Sequence, residues 1–571
     1  MRMIVTPYFN NLFPGEEAKV EDLIGDIPST AIIDLVALID AELYSRDEGN
    51  ETQIKLLNFI LARQSPELRI KILRNAIGES PKDLGSQQFF SRHYNLQFLH
   101  CLLLNFREGE LVEFTPEQEL NIFKAYFLVA QLSGEQPRKD AAPALGPDYF
   151  AQMIWPSLAD NFEVNFRIHP YHILVKGVVF LNYFQFHTPH TEFVENYLRK
   201  HGKVTNLNYV LDIFMMLNSN FESIRQGKSL FASFTLGRSP GFDSLFDQFT
   251  LNPADYQRQF SEKKENYAGI KSSPLFKLND DTWLVLNWSF LSQKLYEGLI
   301  FDFYKESGIA STKDFSQFLR FKEFIGEHIT EKHLFRLLAE KSFNKKHDAL
   351  LFDQGKPNGF PDVYYRKGNK VFLFEIKDAY FPSGAVSSFS YETIKEAIDK
   401  KLNNPEKGTG QIIKQLQHLK QSPFENPQRY KNPRNLIVYP IIIYTDIHFN
   451  MPGVNEYVNR TFQEMVKSGG LDDAFNKIMP LTMININYLI GIFDVLGNKE
   501  TSLDTQIDYY HHQLAIRAKK HSRTKDINDH QRLYDLFENV TSNLIKRDEF
   551  ARKYIEWITD ALNLREGLPS V

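Results

Sequence analysis

Apolar residues recur at three- and four-residue spacing along much of the first 235 positions. This spacing gives an α-helix one apolar face, and it predicts helices over residues 31–43, 53–63, 66–76, 118–132 and 206–217. Thr115, Pro116 and Glu117 supply the N-cap residue, first-turn proline and early acid that mark a helix start. We therefore expect a large helical region at the N-terminus, with no recurring repeat period and no evident chemistry of its own.

In the second half, a pattern of period two replaces the helical one. Residues 363–376 contain two runs of β-branched and aromatic side chains, separated by the polar turn 366–370. This arrangement predicts an antiparallel β-hairpin. In its second strand, alternation places Glu375 and Lys377 on one face with Leu373, and the remaining apolar side chains on the other. We expect the apolar face to be core and the other face to carry charge.

Changes in composition along the chain suggest four parts. A stretch rich in Gly, Pro, Ser and Asp begins near 236, with a turn at 238–241, and a short hairpin and an apolar helix over 289–304 follow it. After 311 come a long helical pattern to 343, a strand at 349–353, helices over 390–402 and 412–419, and apolar strands at 436–444 and 480–486. The predicted parts are a helical region (1–235), a βα bridging unit (236–310), an α/β domain (311–495) and a helical C-terminal extension (496–571).

Charge and cysteine content narrow the class of protein. With a formal net charge of −5, the chain is not a generally basic nucleic-acid binder, so a binding surface would have to be a local patch. The single cysteine, Cys101, excludes an intramolecular disulfide and any multi-cysteine metal site, which suits a reducing compartment. The sequence has no apolar run of signal-peptide or membrane-spanning length. We expect a cytoplasmic protein that does not enter a membrane.

The hairpin also carries the residue types for one kind of chemistry. Asp362, at the head of the first strand, can bring a second carboxylate close to Glu375. Two acids offer the oxygen ligands that Mg²⁺ prefers and leave room for water and a substrate phosphate. Lys377 beside such an ion can orient an attacking water or stabilise charge on phosphorus. These residues fit metal-assisted hydrolysis of a phosphodiester.

Two similar motifs elsewhere in the chain lack the apolar strand that surrounds this cluster. Pro147-Asp148 is not followed by an apolar strand with Glu-x-Lys, and Glu262 and Lys264 lie in a polar run. The alternative interpretation of the hairpin is structural. Glu375 and Lys377 would then form ordinary salt bridges on a solvated face, and Asp362 would cap a turn.

At Pro361-Asp362 and Glu375-Ile376-Lys377 the sequence resembles the PD-(D/E)xK nuclease superfamily, over roughly residues 311–490. The resemblance implies a restriction-endonuclease-like αβββαβ core within an α+β multidomain protein. It also implies a bound Mg²⁺ or Mn²⁺, held by Asp362, Glu375 and the carbonyl of Ile376, with Lys377 as the catalytic lysine.

Two further site residues follow from the same resemblance. Members of the superfamily often carry a glutamate on the helix before the first strand. Glu331 is the preferred candidate for it, with Glu323 and Glu327 as alternatives. The alternative interpretation is that each is an ordinary solvated acid on a helix surface. Some members use a glutamine on the later helix, which suggests Gln411 or Gln415. The glycines before that helix are compatible with phosphate binding, but an N-cap role for Thr409 is the favoured interpretation.

The expected function is a metal-dependent phosphodiesterase, an endonuclease in preference to an exonuclease, with DNA favoured over RNA. Basic residues over 395–435 and 517–525 are candidate phosphate contacts. By analogy, the large helical region suggests regulation, a protein partner or an oligomer, as in restriction or antiviral defence. The alternative functions are a non-catalytic nucleic-acid-binding or assembly protein that uses a nuclease-like fold as scaffold, and a helical interaction protein.

One histidine pattern is interpreted as structural. His169 and His172, and again His187 and His190, repeat a spacing that is compatible with a transition metal. Because the pairs flank prolines and contain no carboxylate, helix-end and turn positions are the favoured interpretation.

Overall fold

The structure is a computed structural model. It describes residues 7–46, 49–77, 88–134, 146–165, 169–227, 232–235, 243–260, 267–343, 348–353, 359–425, 432–524 and 532–545, with residues 560 and 562.

Helices build the N-terminal region, as the spacing of apolar residues predicts. They are α1 Phe9–Leu12, α2 Val20–Ile24, α3 Ser29–Arg46, α4 Asn50–Ile60, α5 Pro66–Ile77, α6 Arg92–Leu104, α7 Pro116–Gly134, α8 Tyr149–Asn165, α9 Pro170–Phe186, α10 Thr191–Lys200 and α11 Asn206–Arg225. The predicted start of α7 is confirmed by a reciprocal cap. Thr115 Oγ1 accepts a hydrogen bond from the Gln118 amide at 3.2 Å, and Gln118 Oε1 accepts from the Thr115 amide at 3.0 Å.

A small antiparallel sheet follows, in the order β1-β3-β2. Its strands are β1 Ser233–Thr235, β2 Leu275–Asn279 and β3 Thr282–Val285, and the helices around it are α12 Asp243–Gln248, α13 Pro253–Phe260, α14 Ala268–Ser272, α15 Trp288–Gln293 and α16 Glu297–Glu306. The predicted hairpin is confirmed. The single helix predicted over 289–304 is wrong, because Tyr296 has φ −150° and ψ −68° and separates α15 from α16. The turn predicted at 238–241 lies outside the described residues.

A six-stranded mixed sheet forms the centre of the second half. Its strands are β4 Ala349–Phe352, β5 Val363–Lys367, β6 Lys370–Lys377, β9 Ile437–Tyr444, β10 Lys477–Ile478 and β11 Thr482–Asn485; β7 Asn403–Asn404 and β8 Lys407–Gly408 form a separate hairpin. The first three strands are antiparallel neighbours, with Val363 opposite Phe374. The chain then crosses over to β9, which pairs with β6 in parallel. The α+β class expected from the sequence is therefore confirmed.

Helices precede this sheet, connect its strands and follow it in sequence. They are α17 Phe318–Phe324, a π-helical segment Ile325–Phe335, α18 Arg336–Phe343, α19 Ser383–Val386, α20 Tyr391–Leu402, α21 Thr409–Gln421, α22 Val454–Ser468, α23 Ile486–Ile492, α24 Leu503–Thr524 and α25 Phe537–Thr541. Short 3₁₀ turns are Ile309–Ser311, Pro433–Asn435, Ile447–Asn450, Arg532–Tyr534 and Ser542–Leu544. Among the described residues, no helix combines the length and apolar composition needed to cross a membrane.

Both faces of β6 are buried, which corrects the expectation of one core face and one charged face. Phe372 and Phe374 pack into a core shared with the N-terminal helices. Leu373 packs into a second core, formed with α8, α20, α21 and α22 and including the buried Trp155. Because β6 lies between β5 and β9 and under helices on both sides, Glu375 near its C-terminal end is buried and Lys377 is partly buried.

The long helical pattern before β4 is continuous but not uniformly α-helical. Eleven residues, Ile325–Phe335, are π-helical between α17 and α18. Hydrogen bonds from residue i to residue i+5 widen its turns and change which side chains face the sheet, and single-turn π bulges often occur at functional sites. Thr330 and Glu331 lie in this segment.

Candidate active site

The hairpin β5–β6 brings Asp362 and Glu375 to the same edge of the sheet. Asp362 directly precedes β5, and its Oδ2 atom accepts a hydrogen bond of 2.6 Å from the amide of Ile376. The carbonyl of Asp362 accepts a bond of 3.1 Å from the Asp353 amide, just after β4. The ends of three neighbouring strands are thus fixed to one another at this edge.

Glu375 is the most deeply buried acid of the cluster, with 1% of its surface exposed. Its Oε1 atom lies 2.6 Å from Lys377 Nζ. Its Oε2 atom accepts a hydrogen bond of 2.8 Å from Gln415 Nε2. Both carboxylate oxygens therefore have partners within the protein, one of them a charged group.

Gln411 connects Lys377 to the start of helix α21. Its Oε1 atom accepts from Lys377 Nζ at 2.8 Å and from the Gly408 amide at 3.0 Å. The second contact makes Gly408 the N-cap residue, so the N-cap role predicted for Thr409 is wrong. Gly408 has φ +60°, and a Cβ atom there would lie 2.2 Å from the Leu402 carbonyl oxygen. Close packing of the β7–β8 hairpin explains this glycine and positions Gln411.

Burial and mutual repulsion perturb the acids of the site. Burial raises the pKa of Asp362 well above its ordinary range, and repulsion from Glu375 and Glu331 adds to the effect. Burial also raises the pKa of Glu375, although Lys377 and Gln415 act in the opposite direction. Burial, followed by repulsion from Glu375, raises the pKa of Glu331 to about 7. The cluster has more negative charge than Lys377 alone can balance.

Of the three glutamates considered on the preceding helix, Glu331 is the one near this cluster. It lies on the π-helical segment, and Glu375 and Lys377 both influence its pKa. Glu327 is instead paired with Lys332 at the surface, and Glu323 is exposed. The structure therefore brings together Asp362, Glu375, Lys377, Gln411, Gln415 and Glu331.

Two acids next to the site were not identified from the sequence. Asp353 follows β4 and raises the pKa of Glu375 by repulsion. Asp353 directly follows the strand that pairs with β5, and this position in the sequence could have indicated that it lies near Asp362. Asp378, the residue after Lys377, accepts bonds of 2.6 Å from Lys322, Thr330 and Thr445. Asp378 lies just beyond β6, where alternation places it on the face opposite Lys377. Its three partners come from segments distant in sequence, so the local pattern could not predict these contacts.

The metal ion that the resemblance implies needs oxygen ligands. Asp362, Glu375 and the Ile376 carbonyl offer only oxygen atoms, as Mg²⁺ and Mn²⁺ require. The excess of buried negative charge also favours a cation. Among the described residues, no group of three or more His, Cys, Asp or Glu side chains is arranged to hold a metal ion. The candidate site has only two such side chains, Asp362 and Glu375, and its third ligand is a backbone carbonyl. Its oxygen ligands and its negative charge fit the ion.

The histidine pairs occupy helix ends, as the favoured interpretation predicts. His169 is the N-cap of α9, His187 is its C-cap, and His190 is the N-cap of α10.

No family model, curated protein or solved structure matches this chain.

Proposed function

We propose that this protein is a metal-dependent nuclease that hydrolyses phosphodiester bonds, with DNA favoured over RNA and internal cleavage favoured over removal of end nucleotides. The observation that carries the proposal is the convergence at one sheet edge of Asp362, Glu375 and Lys377. Lys377 Nζ lies 2.6 Å from Glu375 Oε1, and Asp362 Oδ2 lies 2.6 Å from the amide of the intervening Ile376.

The proposed ion, Mg²⁺ or Mn²⁺, would be held by Asp362, Glu375 and the Ile376 carbonyl, and it supplies Lewis-acid activation of water and phosphate. Asp362 offers its Oδ1 atom, which accepts no hydrogen bond from the described residues, whereas Glu375 would exchange a protein partner for the ion.

Lys377 is the candidate for orienting the nucleophile. Its ammonium group has one contact with a carboxylate and one with the Gln411 side chain. With three donors on an ammonium, one N–H remains to donate to an attacking water or to a phosphate oxygen. Gln411 is a positioning residue in this scheme, because it restricts where Nζ can lie.

Glu331 is the candidate for proton transfer. Its pKa, raised to about 7, is near the value at which a carboxyl group can accept and release protons at neutral pH. It would take the proton of the attacking water, because Asp362 and Glu375 are assigned to the ion.

A basic surface beside the site suits a polynucleotide substrate. Lys400 and Lys401 end helix α20, and Lys407 lies in β8, directly before Gly408 and Gln411. None of the three forms an ion pair with a described residue, and burial together with repulsion from the other two lowers the pKa of Lys401. Lysines that form no ion pair with a described residue and lie next to the candidate site are where a phosphate backbone would lie.

One observation favours the second candidate function, a non-catalytic nucleic-acid-binding or assembly protein. Both oxygens of Glu375 already accept hydrogen bonds from Lys377 and Gln415. A buried acid satisfied in this way needs no ion for stability, so the same residues are compatible with a purely structural pair.

A nicking assay separates the two candidates. Supercoiled plasmid, single-stranded DNA and RNA are incubated with the protein in Mg²⁺, Mn²⁺ or EDTA. The nuclease proposal expects metal-dependent cleavage that falls at least 100-fold in Asp362→Asn, Glu375→Gln and Lys377→Met. Glu392→Gln and Lys467→Met, at exposed positions on α20 and α22, are matched controls that should retain full activity.

The negative result is equally specific. Absence of cleavage in every metal, or cleavage of equal rate in the site variants and the controls at matched melting temperature, would reject the nuclease proposal. Retained binding of polynucleotide with no cleavage would then support the scaffold function.

A further inference from the structure

Asp378 directly follows Lys377, the last residue of β6, and its side chain is only 4% exposed. Its Oδ1 atom accepts hydrogen bonds of 2.6 Å from Lys322 Nζ and from the Thr445 hydroxyl. Its Oδ2 atom accepts a bond of 2.6 Å from the Thr330 hydroxyl. The proposed reaction gives this carboxylate no role so far, although it lies next to the candidate catalytic lysine.

The three donors come from three separate parts of the fold. Lys322 belongs to α17, Thr330 to the π-helical segment Ile325–Phe335, and Thr445 directly follows β9. All three residues are buried. Hydrogen bonds to an ionised acceptor are stronger than those between neutral groups. A single carboxylate therefore joins the helical stretch before the sheet to the ends of two of its strands.

Thr445 holds this carboxylate on the sheet. The last pair of the parallel β6–β9 ladder is Lys377 opposite Tyr444. Asp378 and Thr445 are the next residue on each strand, and the bond between the hydroxyl and Oδ1 joins them. The carboxylate is thus anchored one residue beyond the ladder.

Lys322 holds the same oxygen and also contacts the chain beyond it. Its Nζ atom lies 4.7 Å from the centroid of the Tyr380 ring, close enough for a cation–π interaction. Because Lys322 and Asp378 form an ion pair of their own, Asp378 adds no uncompensated charge to the acid cluster. Its contribution to the site is therefore one of geometry.

The π-helical segment packs directly on Asp378. Thr330 donates to Oδ2, and Gly326 lies about one turn earlier on the same segment. A Cβ atom on Gly326 would lie 3.4 Å from the Asp378 carbonyl oxygen and 3.5 Å from the Asp378 Cβ atom. Glu331, the candidate for proton transfer, is the residue after Thr330. The contact with Asp378 therefore sets how the chain at Glu331 lies against the sheet.

We propose that Asp378 is a positioning residue of the candidate active site. Lys322 and Thr445 hold its carboxylate on the sheet, and Thr330 transmits that position to Glu331. Asp378 holds neither substrate nor ion itself. The inference rests on the proposed function, in which Glu331 takes the proton of the attacking water.

Two buried threonines offer a matched comparison. Thr330→Val and Thr445→Val each replace a hydroxyl, bonded at 2.6 Å to the same carboxylate, by a methyl group. Among the described residues Thr330 is the one donor to Oδ2, whereas Oδ1 keeps Lys322 when Thr445 is changed. Only the first variant therefore releases the segment that carries Glu331.

Steady-state cleavage of a short duplex in Mg²⁺, at a temperature where every variant is folded, tests the proposal. We expect kcat to fall about tenfold in Thr330→Val, with KM within about twofold of wild type. In Thr445→Val, kcat should fall by less than about threefold. Thr330→Ser keeps the donor and should restore at least about half of the wild-type kcat.

A role in stability alone predicts a different pattern, because the two hydroxyls would then matter equally. Equal kcat values in Thr330→Val and Thr445→Val would overturn the proposal. A loss confined to KM, or a Thr330→Ser variant as slow as Thr330→Val, would overturn it too.

Hydrogen exchange separates this inference from the nuclease proposal. The amides of residues 325–335 should exchange at least about threefold faster in Thr330→Val than in Thr445→Val, relative to those of α22. Equal exchange in the two variants would overturn the positioning role, whatever their activity. A wild-type protein that cleaves nothing in any metal would reject the nuclease proposal, and the exchange comparison alone would then decide whether Asp378 fixes Glu331.

Discussion

Lys377 Nζ lies 2.6 Å from Oε1 of Glu375, a residue on the same strand and the same face, with 1% of its surface exposed. Two groups that β-strand alternation places side by side thus form an ion pair at the end of a sheet, with a buried carboxylate and a partly buried ammonium group. Removing one partner of such a pair leaves an uncompensated charge, which typically costs about 3–5 kcal/mol. Gln411 and Gln415 complete the hydrogen bonds of this pair.

The pH dependence of stability tests the raised pKa of Glu331. Burial and Glu375 raise the pKa of Glu331 from 4.5 to about 7. When folding raises the pKa of an acid, the protein loses no stability from that acid while the pH is below the pKa of the unfolded chain. Stability is then lost as the pH rises from that value through the pKa of the folded state. Between pH 5 and pH 8, in EDTA, Glu331→Gln should therefore lose less stability than wild type, by about 1–3 kcal/mol.

Urea unfolding at the two pH values measures this difference. The exposed Glu323→Gln, on the same helical pattern, should behave like wild type. If Glu331→Gln and wild type change in parallel between pH 5 and pH 8, folding does not raise the pKa of Glu331.

Much of this site could be predicted from local pattern alone. The hairpin signal places Asp362 next to Glu375, because antiparallel register fixes which residues are opposite each other. Glu375 and Lys377 then share a face by alternation. The interaction of Glu331 with them depended on a resemblance, since no local rule relates a helix residue to a strand formed later in the chain.

Other features depend on segments distant in sequence. Leu373 and Glu375 are buried because α8, more than 200 residues earlier, and α20 to α22 cover that face. Alternation alone cannot distinguish a solvated face from one that is covered later. The π-helical segment at Ile325–Phe335 was also missed, because a pattern of period 3.6 does not reveal where the turns widen.

Helix α21 offers a matched test of the positioning role of Gln411. Gln411→Ala removes one of the two partners of Lys377 Nζ, so we expect kcat for cleavage to fall about tenfold with little change in KM. Gln417→Ala changes an exposed glutamine of the same helix and should leave both constants unaltered. Steady-state cleavage of a short duplex measures them. A Gln411→Ala change confined to KM would assign the residue to substrate binding instead.

Metal binding can be measured through the stability of the protein, without a cleavage assay. An ion that neutralises the acid cluster binds only the folded state and stabilises it by RT ln(1 + [L]/Kd), about 1.4 kcal/mol for 10 mM Mg²⁺ at a Kd of about 1 mM. Thermal unfolding with and without Mg²⁺ or Mn²⁺ at pH 8 measures this. The stabilisation should be absent in Asp362→Asn and unchanged in Glu392→Gln. Equal stabilisation in all three proteins would place metal binding elsewhere.

Salt dependence tests the basic surface at Lys400, Lys401 and Lys407. Each lysine that contacts a DNA phosphate contributes about 0.9 to the slope of log K against log salt concentration. The triple alanine variant should therefore lower the magnitude of that slope by about 2–3, measured with catalytically inactive Lys377→Met as background. Lys467→Met combined with that background should not change the slope. An unaltered slope in the triple variant would place the substrate on another surface.

The most direct test of the central claim is the single-turnover rate of DNA cleavage in Mg²⁺ for wild type, Asp362→Ala, Glu375→Ala and the double variant. Residues that act as one catalytic unit are strongly non-additive. We predict that each single variant loses at least 100-fold and that the double variant is no slower than the worse single one. Independent, multiplying losses, or a wild-type rate no faster than that of the double variant, would contradict the account.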